Sequence, residues 1–329
     1  MLPDIRDVLD GLHVVSLPLV TKFRGITHRE AALWQGPAGW TEFSPFVEYG
    51  DEESATWLAA AYDFGARDLA AELDAVLRPT VRVNATIPAV GVHDVADILA
   101  AFPGCRTAKV KVAEPGQRLA DDVARVARVR ELMGDQARLR VDANGAWSLS
   151  EARAACDALR EFDLEYMEQP CASVDDLSAL RAGQPGILIA ADESIRKAHD
   201  PMLVRERSAA DVIVVKAAPL GGIARAREIV RQVGLPAAVS SALETSVGVA
   251  MGAFLAASLP DIFDAGLGTA SLLAADVTDD PLVPHDGAID VRRVEPSPSL
   301  LARFAATDDR TQWWRERITR CHRLVSASD

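Results

Sequence analysis

Charged residues close a series of apolar runs in this chain, and they recur at nearly constant intervals. The series begins with a Lys-x-Lys pair in TAKVKVAE and continues with one acid or lysine per run: Lys109 and Lys111, then Asp142, Glu168, Asp192 and Lys216. The intervals from Lys111 onward are 31, 26, 24 and 24 residues. Because a strand, a helix and two short loops need about 25 residues or more, each interval predicts one βαβ unit of a parallel sheet.

Eight short apolar runs share this rhythm, and they predict an α/β chain with a (β/α)₈-type barrel. The runs begin near Val81, Thr107, Arg138, Leu164, Ile187, Asp211, Ala237 and Phe263. Their spacing of 23 to 31 residues suits eight strand–helix units, whose C-terminal strand ends meet at one mouth. An open doubly wound sheet has a similar rhythm, but the first strand–helix turn lacks the GxGxxG and P-loop glycines.

The sequence predicts three parts. Residues 1–80 lack the rhythm and contain the aromatic and Gly-rich stretches FRGITHRE and WQGPAGWTEFSPF, followed by a helical pattern from about Ser54 to Leu77. We expect this part to be an N-terminal α+β capping domain, and residues 81–287 to form the barrel. Residues 288–329 are Pro-rich and then helical, and we expect them to pack back on the cap.

Composition and charge narrow the possible partners. The net charge of −13 disfavours nucleic acid and anionic membranes, and the four cysteines lack Cys-x-x-Cys spacing, as expected for reduced cytoplasmic thiols. The N-terminal stretch begins with acids, so we expect neither a signal peptide nor a membrane span there. The apolar stretch from Thr245 to Leu259 is too short to span and predicts a buried helix. These features predict a cytoplasmic protein with a small-molecule partner, and they leave its oligomeric state undetermined.

The lysine pair predicts a base. Lys109 and Lys111 are two residues apart on a predicted strand, so their side chains share one face, opposite Ala108 and Val110. Two ammonium groups in a partly desolvated mouth would lower each other's pKa, which suits a general base near neutral pH. A solvated edge strand would explain the pair alone. The carboxylates in the same register favour the catalytic interpretation.

The three acids predict a metal site. Asp142, Glu168 and Asp192 offer only oxygen ligands, and no His or Cys follows the same register. Oxygen ligands on three strands, with room for water and substrate oxygens, are typical of Mg²⁺ sites, with Mn²⁺ as a substitute. A single Asp in a βα loop is commonly a helix N-cap. Three buried carboxylates without a cation would repel one another, so the series favours a bound metal.

Other residues are predicted around this centre. Lys216 falls on the sixth strand, across the barrel from the lysine pair, where it would serve as second base or electrostatic stabiliser; the alternative is a surface strand end. Asn144, two residues after Asp142, is expected either to orient a ligand or to shape a turn. Glu193 is expected to face away from the mouth.

These motifs carry a family resemblance. The set Lys-x-Lys, Asp-x-Asn, Glu-x-Pro, Asp-Glu and a strand-six Lys resembles the enolase superfamily, in its muconate-lactonising-enzyme-like subgroup. Within that subgroup the chain is most similar to the o-succinylbenzoate synthases of menaquinone biosynthesis, in the stretches GWTEFSPFVEYGDEE and SSALETSVG. The AAPLGG that follows Lys216 lacks the arginine found there in many N-succinylamino acid racemases.

The resemblance implies a mechanism. A Mg²⁺-dependent hydro-lyase would dehydrate 2-succinyl-6-hydroxy-2,4-cyclohexadiene-1-carboxylate to 2-succinylbenzoate. The three carboxylates would hold Mg²⁺, which stabilises the ene-diolate formed on proton removal. Lys111 would take the α-proton and return it to the leaving hydroxyl, while Lys216 stabilises the intermediate from the other face. Lys109 would hold down the pKa of Lys111.

Substrate contacts are predicted at the ends of strands seven and eight and in the cap. Ser241 and the backbone from Gly266 to Gly268 are expected to receive the succinyl arm. Arg24 is either a lid residue that meets a carboxylate or a solvated loop cation. The cap aromatics are expected in the core of the cap: Trp40, Phe43 and Phe46.

Two other function classes stay open. Racemization, dipeptide epimerization or cycloisomerization would use Lys111 and Lys216 as acid/base partners on opposite faces of the substrate. A non-catalytic barrel scaffold is the third class, and the complete set of motifs argues against it.

Overall fold

The computed structural model describes residues 2–69, 71, 78–196, 201–260 and 263–328. Its strands are β1 (His13–Phe23), β2 (Ile26–Gly36), β3 (Gly39–Phe43), β4 (Thr80–Arg82), β5 (Ala85–Ile87), β6 (Thr107–Lys111), β7 (Arg138–Asp142), β8 (Leu164–Glu168), β9 (Ile189–Ala191), β10 (Val212–Val215), β11 (Ala237–Val239) and β12 (Ala288–Asp290). Its α-helices are α1 (Ile5–Asp10), α2 (Asp51–Ala66), α3 (Val95–Ala100), α4 (Leu119–Met133), α5 (Leu149–Leu159), α6 (Val174–Gly183), α7 (Glu193–Arg196), α8 (Leu203–Glu206), α9 (Ile223–Val233), α10 (Ser246–Ala257), α11 (Pro298–Arg303) and α12 (Asp308–Ser328).

The strands from β5 to β11 form one parallel sheet in chain order. The sheet curls until its edges approach the segment after α10, which makes parallel bridges from Ala265 to Val83 and from Gly266 to Ser240. These two bridges stand where the eighth strand was predicted. The (β/α)₈-type barrel is therefore confirmed, with its last strand reduced to a short bridging segment.

The run near Val81 has a different place from the one predicted. β4 pairs antiparallel with β12, with Val81 opposite Ile289, and the first barrel strand is β5. The predicted domain boundaries, at residues 80 and 287, lie beside this ladder and remain predictions. The ladder joins the chain that enters the barrel to the chain that leaves it.

Local signals explain where the barrel helices begin and end. The Ser148 hydroxyl caps α5 by accepting a hydrogen bond from the Glu151 amide, and the Glu151 carboxylate accepts one from the Ser148 amide. Gly134 ends α4 with a φ of +79°, a conformation that costs glycine little. Every residue of α10 is buried, as predicted for the apolar stretch that contains it. No helix in the described part of the chain is long and apolar enough to cross a membrane.

The N-terminal segment forms the cap that covers the mouth. β1, β2 and β3 make an antiparallel meander, and α2 packs against it. The helix predicted from Ser54 to Leu77 begins at Asp51 and ends at Ala66, and residues 70 and 72–77 of that prediction lie outside the described residues. Among the described residues of this segment, the sheet and α2 thus form the layer above the barrel.

The C-terminal helix packs on the cap. Trp314 of α12 is fully buried, lies edge-on to Phe43 at 5.7 Å and donates its ring N–H to Glu30. Arg317 of the same helix is also buried and donates to the Ser54 hydroxyl at 2.7 Å. The tail thus completes the hydrophobic core of the cap.

One close backbone approach in the cap gives a stability test. A Cβ on Gly36, at the end of β2, would lie 2.7 Å from the carbonyl carbon of Gly65 and 2.9 Å from its Cα. We expect Gly36→Ala to lower the free energy of unfolding by about 2 kcal/mol, because α2 would have to move away from the sheet. Gly50→Ala is the control, since a Cβ there meets nothing within 4 Å. Equal stability of the two variants, measured by chemical denaturation, would contradict this packing.

Candidate active site

The charged residues that close the barrel strands meet at the mouth beneath the cap. Lys111, Asp142 and Glu168 are neighbours across three adjacent strands, since Lys111 pairs in register with Asp142 and Asp142 with Glu168. A cavity opens above them. Its lining comes from both parts of the protein: Phe23, Arg24, Phe46 and Tyr49 of the cap, and Thr86, Lys109, Lys111, Asp142, Asn144, Arg196, Lys216, Ser240, Ser241, Ala242, Leu243, Gly266 and Thr269 of the barrel.

Lys109 ties two of the carboxylates together. Its ammonium donates to both oxygens of Glu168 at 2.9 and 3.0 Å and lies 3.3 Å from Oδ2 of Asp142. All three side chains are buried, and Glu168 is fully so. The strand period that directs Lys109 inward directs Ala108 and Val110 outward, where both are fully buried.

Lys111 lies two residues after Lys109 on β6, closer to the C-terminal end of the strand and at the edge of the cavity. Its Nζ donates to Oδ2 of Asp142 at 2.5 Å and to Oδ1 of Asn144 at 2.7 Å. The backbone amide of Asn144 donates to Oδ1 of Asp142, so Asn144 orients both the Lys111 ammonium and the Asp142 carboxylate. Asn144 has a φ of +47°, so it also shapes the turn, and its role in orienting a metal ligand stays a prediction. The Phe23 ring of the cap lies 5.6 Å from the same ammonium.

Asp192 is held by two cations. Lys216 donates to its Oδ2, and Arg196 donates to Oδ1 at 3.1 Å. Arg196 also donates to Glu193 at 2.7 Å, and Glu193 accepts a bond from Asn144. Glu193 does not line the cavity, as predicted, but α7 places its carboxylate in contact with two residues that do, Arg196 and Asn144.

Burial and charge shift the pKa values of these groups in opposite directions. Burial would raise the pKa of Asp142 and of Asp192, but the neighbouring cations outweigh it and lower both. Burial, helped by the charge of Asp142, raises the pKa of Glu168. For Lys109, burial acts to lower the pKa, but Glu168 and Asp142 outweigh it and raise the pKa. The lowering expected for paired ammonium groups is thus reversed at Lys109.

The donor set fits a hard divalent cation. Three carboxylates project from adjacent strand ends into one buried space, and their oxygen atoms are the ligands that Mg²⁺ prefers. Among the described residues, no group of three or more His, Cys, Asp and Glu side chains has the spacing of a closed metal site. Instead, the ammonium group of Lys109 pairs with the carboxylate of Glu168, and that of Lys216 pairs with the carboxylate of Asp192.

The residues predicted to bind substrate divide into two groups. Ser241, Gly266 and Arg24 line the cavity, and the Ser241 hydroxyl lies 2.6 Å from that of Thr269. Gly268 begins a short 3₁₀ helix instead, and a Cβ there would lie 3.2 Å from the Asn84 carbonyl and from the Phe102 ring. Gly268 is therefore not among the residues that line this cavity, and its predicted contact with substrate stays a prediction.

Arg24 is ordered by aromatic contacts. Its guanidinium lies 4.1 Å above the Phe46 ring and donates to the Tyr49 hydroxyl at 3.1 Å. Arg196 donates to the same hydroxyl at 3.4 Å, so Tyr49 connects the cap to the residues around Asp192. Phe43 and Phe46 are buried in the hydrophobic core and Trp40 packs against it, as predicted, and Phe46 also borders the cavity.

Sequence reasoning missed Gln169, Arg196 and Tyr49. The buried Gln169, with a φ of +37°, accepts from the Asp192 amide at 3.0 Å and thereby fixes the loop that carries Asp192. The Glu-Gln-Pro stretch at the end of β8 was the available signal. Arg196 and Tyr49 had none, because their contacts depend on how α7 turns and how the cap docks.

Comparison with known proteins identifies the family. The enolase C-terminal domain-like model matches residues 93–296, and the enolase N-terminal domain-like model matches residues 14–65. The chain is 52% identical to the o-succinylbenzoate synthase of Mycolicibacterium smegmatis over 98% of both chains. It is 48% identical to that of Mycobacterium tuberculosis over 100% of this chain and 98% of the relative. The chain belongs to the enolase superfamily, whose enzymes are generally Mg²⁺-dependent.

Solved structures share the fold. The 2-chloromuconate cycloisomerase of Rhodococcus opacus superimposes with a TM-score of 0.76 at 22% identity, over 90% of this chain and 98% of that one. The L-Ala-D/L-Glu epimerase of Bacillus subtilis gives a TM-score of 0.72 at 21% identity, over 87% and 96%. Both matches support the capped barrel.

The position of Lys109 between Asp142 and Glu168 predicts that it stabilises the fold by neutralising these two carboxylates. Lys109→Met leaves Asp142 and Glu168 without the cation between them, so we expect the free energy of unfolding in EDTA to fall by about 3 kcal/mol. The exposed Lys22 on β1 provides the control, as Lys22→Met. Denaturant titration of both variants tests this, and an equal stability for the two would mean that Lys109 does not neutralise the pair.

Proposed function

We propose that the chain is an o-succinylbenzoate synthase, a hydro-lyase that dehydrates 2-succinyl-6-hydroxy-2,4-cyclohexadiene-1-carboxylate to 2-succinylbenzoate in menaquinone biosynthesis. Identity of 48–52% to o-succinylbenzoate synthases over nearly the full chain supports this reaction. The observation that carries the chemistry is that Lys111 and Lys216, from the second and sixth barrel strands, line one cavity with Asp142. The reaction removes a proton α to a carboxylate and then expels the hydroxyl, and the product ring is aromatic.

Asp142, Glu168 and Asp192 would hold Mg²⁺. When bound, the metal supplies a Lewis acid for the substrate carboxylate and neutralises the charge that develops there on proton removal. Neighbouring residues keep these carboxylates oriented. The backbone amide of Asn144 donates to Asp142, and the Gln169 side chain accepts from the backbone amide of Asp192. Arg196 donates to one carboxylate oxygen of Asp192. Mn²⁺ has similar ligand preferences and would substitute.

Lys111 is the proposed acid/base. It is only partly buried at the edge of the cavity, so its ammonium can reach a substrate atom while Asn144 and Asp142 hold it in place. It takes the α-proton as a neutral amine, and the ammonium so formed returns a proton to the leaving hydroxyl oxygen on the same face. One group thereby serves both half-reactions without exchange with solvent.

Lys216 and Lys109 have the proposed electrostatic roles. Lys216 borders the cavity from the sixth strand and presents a cation to the opposite face of the substrate ring. Lys109 lies beneath, between Asp142 and Glu168, and balances their charge. Its raised pKa keeps it an ammonium, so it acts as a fixed charge and not as a proton donor.

The substrate arm is proposed to lie toward the seventh and eighth strands. Ser241 and Gly266 line that side of the cavity, and Arg24 closes it from the cap, where it can meet the arm's carboxylate. The synthase is proposed to work in the cytoplasm on this small carboxylate. The four cysteines, which are free thiols, suit a reducing compartment.

A second candidate is racemization or epimerization of a related carboxylate. The placement of Lys111 and Lys216 in one cavity favours it, because two bases on opposite faces are what such a reaction needs. The roles of Lys216 separate the two functions, as a cation in the synthase and as a base in the racemase.

Metal removal tests the proposed site. Oxygen ligands alone predict that EDTA abolishes dehydration and that Mg²⁺ or Mn²⁺ restores it. Asp192→Asn should lose most of the activity and bind Mg²⁺ more weakly in calorimetry, while the barrel still folds. Full activity after exhaustive chelation would exclude metal-assisted catalysis here.

Lysine variants test the proposed roles. Lys111→Ala should reduce the dehydration rate by about a thousandfold or more, because no second proton carrier serves that face. Lys216→Arg should keep part of the dehydration activity, since guanidinium retains the charge but stays protonated. A racemase with the same substitution would lose turnover from one enantiomer of an N-succinylamino acid, measured by polarimetry. Near wild-type dehydration by Lys111→Ala would refute the assignment.

A further inference from the structure

Two buried charges of the cap hold the loop that follows the seventh barrel strand. Arg29 on β2 donates from Nε to the Leu243 carbonyl at 3.0 Å and from Nη2 to the Ala242 carbonyl at 3.4 Å. Glu42 on β3 accepts from the Thr245 hydroxyl and from the Gly248 amide at 3.0 Å. These contacts join residues about two hundred positions apart in the chain.

The loop they hold is part of the cavity wall. Ser241, Ala242 and Leu243 are consecutive lining residues. Leu243 has a φ of +63°, which is unfavourable for a leucine, and so the loop needs external support to keep its shape. The carbonyl groups that Arg29 binds belong to this strained stretch. The support therefore acts on the part of the backbone that shapes the cavity.

Burial of the Glu42 carboxylate, which accepts the hydrogen bonds from this loop, costs free energy. Glu42 is 3% exposed, and burial is the main cause that raises its pKa to about 7. A neutral side chain would avoid this cost while filling the same space. Only an acceptor with two oxygen atoms satisfies the Ser44 and Thr245 hydroxyls and the N-terminal amides of α10 together.

Attachment of the cap to the barrel does not require this pair. Thr56 of α2 donates to the Pro219 carbonyl at 3.0 Å, and the Ala274 amide of the barrel donates to the Pro18 carbonyl of β1 at 2.8 Å. Arg29 and Glu42 differ from these contacts in their target, which is the wall of the cavity. Arg29 also lies 4.5 Å from the ring of Phe46, a second lining residue.

We propose that Arg29 and Glu42 are positioning residues that shape the half of the cavity that receives the substrate's succinyl arm. The proposal rests on the proposed function, in which Ser241 and Gly266 border the arm. Neither residue touches the reacting atoms. They act through the backbone from Ser241 to Thr245, so their effect should appear with ligands that carry the arm and be small with ligands that lack it.

The test compares ligands with and without the arm. Dissociation constants of 2-succinylbenzoate and benzoate are measured by NMR titration with Mg²⁺ for the wild type, Glu42→Gln, Arg29→Lys and Arg29→Met. We expect 2-succinylbenzoate to bind at least tenfold more weakly to Glu42→Gln and Arg29→Met, and benzoate to change less than twofold. Arg29→Lys should restore part of the affinity, since an ammonium still donates to one carbonyl.

Glu30→Gln is the matched control. Glu30 is the neighbouring cap carboxylate, and it accepts from Arg310 and Trp314 of the C-terminal helix without reaching the cavity. This variant should bind both ligands as the wild type does. Melting temperatures of all variants are recorded, and Arg29→Lys replaces any variant that fails to fold.

The outcomes separate the two proposals. An equal loss for both ligands, or unchanged binding of 2-succinylbenzoate in the Glu42 and Arg29 variants, overturns the positioning role. A wild type that binds 2-succinylbenzoate but does not dehydrate the cyclohexadiene substrate overturns the proposed function. The selective loss of arm binding would in that case still support positioning by the cap.

Discussion

The pairing of three buried carboxylates with lysines at the barrel mouth is the interaction on which the rest of this structure depends. Asp142, Glu168 and Asp192 are each at most 1% exposed, and ionised groups so buried require nearby positive charge. Lys109 and Lys216 supply it from the second and sixth strands. The barrel must therefore close with these strands in a fixed register, because a one-residue slip would exchange the charged face for the apolar one.

The same strand period builds both the core and the site. Ala108 and Val110 of β6 are fully buried beneath the helices, while Lys109 between them points into the barrel. Lower in the barrel, the buried Arg140 pairs with Glu165 and lies 4.7 Å from the Tyr166 ring. Arg140 also donates from Nη1 to the Asn84 side chain and to the Asp264 carbonyl, so this buried cation is held by several acceptors of the barrel. An apolar cluster around Tyr166 fills the interior beside it: Ala190, Val212, Val214 and Ala238.

The sequence was sufficient for features that depend on strand ends, and insufficient for features that depend on docking. Asp142, Glu168 and Lys216 could be located because a charge after an apolar run marks the end of a parallel strand. The contact of Tyr49 with Arg196 could not, since it requires the position of the cap over α7. β4 was assigned to the barrel for the same reason: an apolar run does not reveal its partner strand.

The division between barrel and cap follows from these physical limits. Barrel strands place the carboxylates and lysines rigidly, which suits groups that must keep their charge balance through a reaction. The wall of the cavity comes instead from loops and from cap side chains such as Phe23, Phe46 and Arg24. Loops alone would hold strained residues such as Leu243 poorly, and buried charges of the cap support them. A change in the cap can therefore alter which carboxylate fits while the proton-transfer residues stay in place.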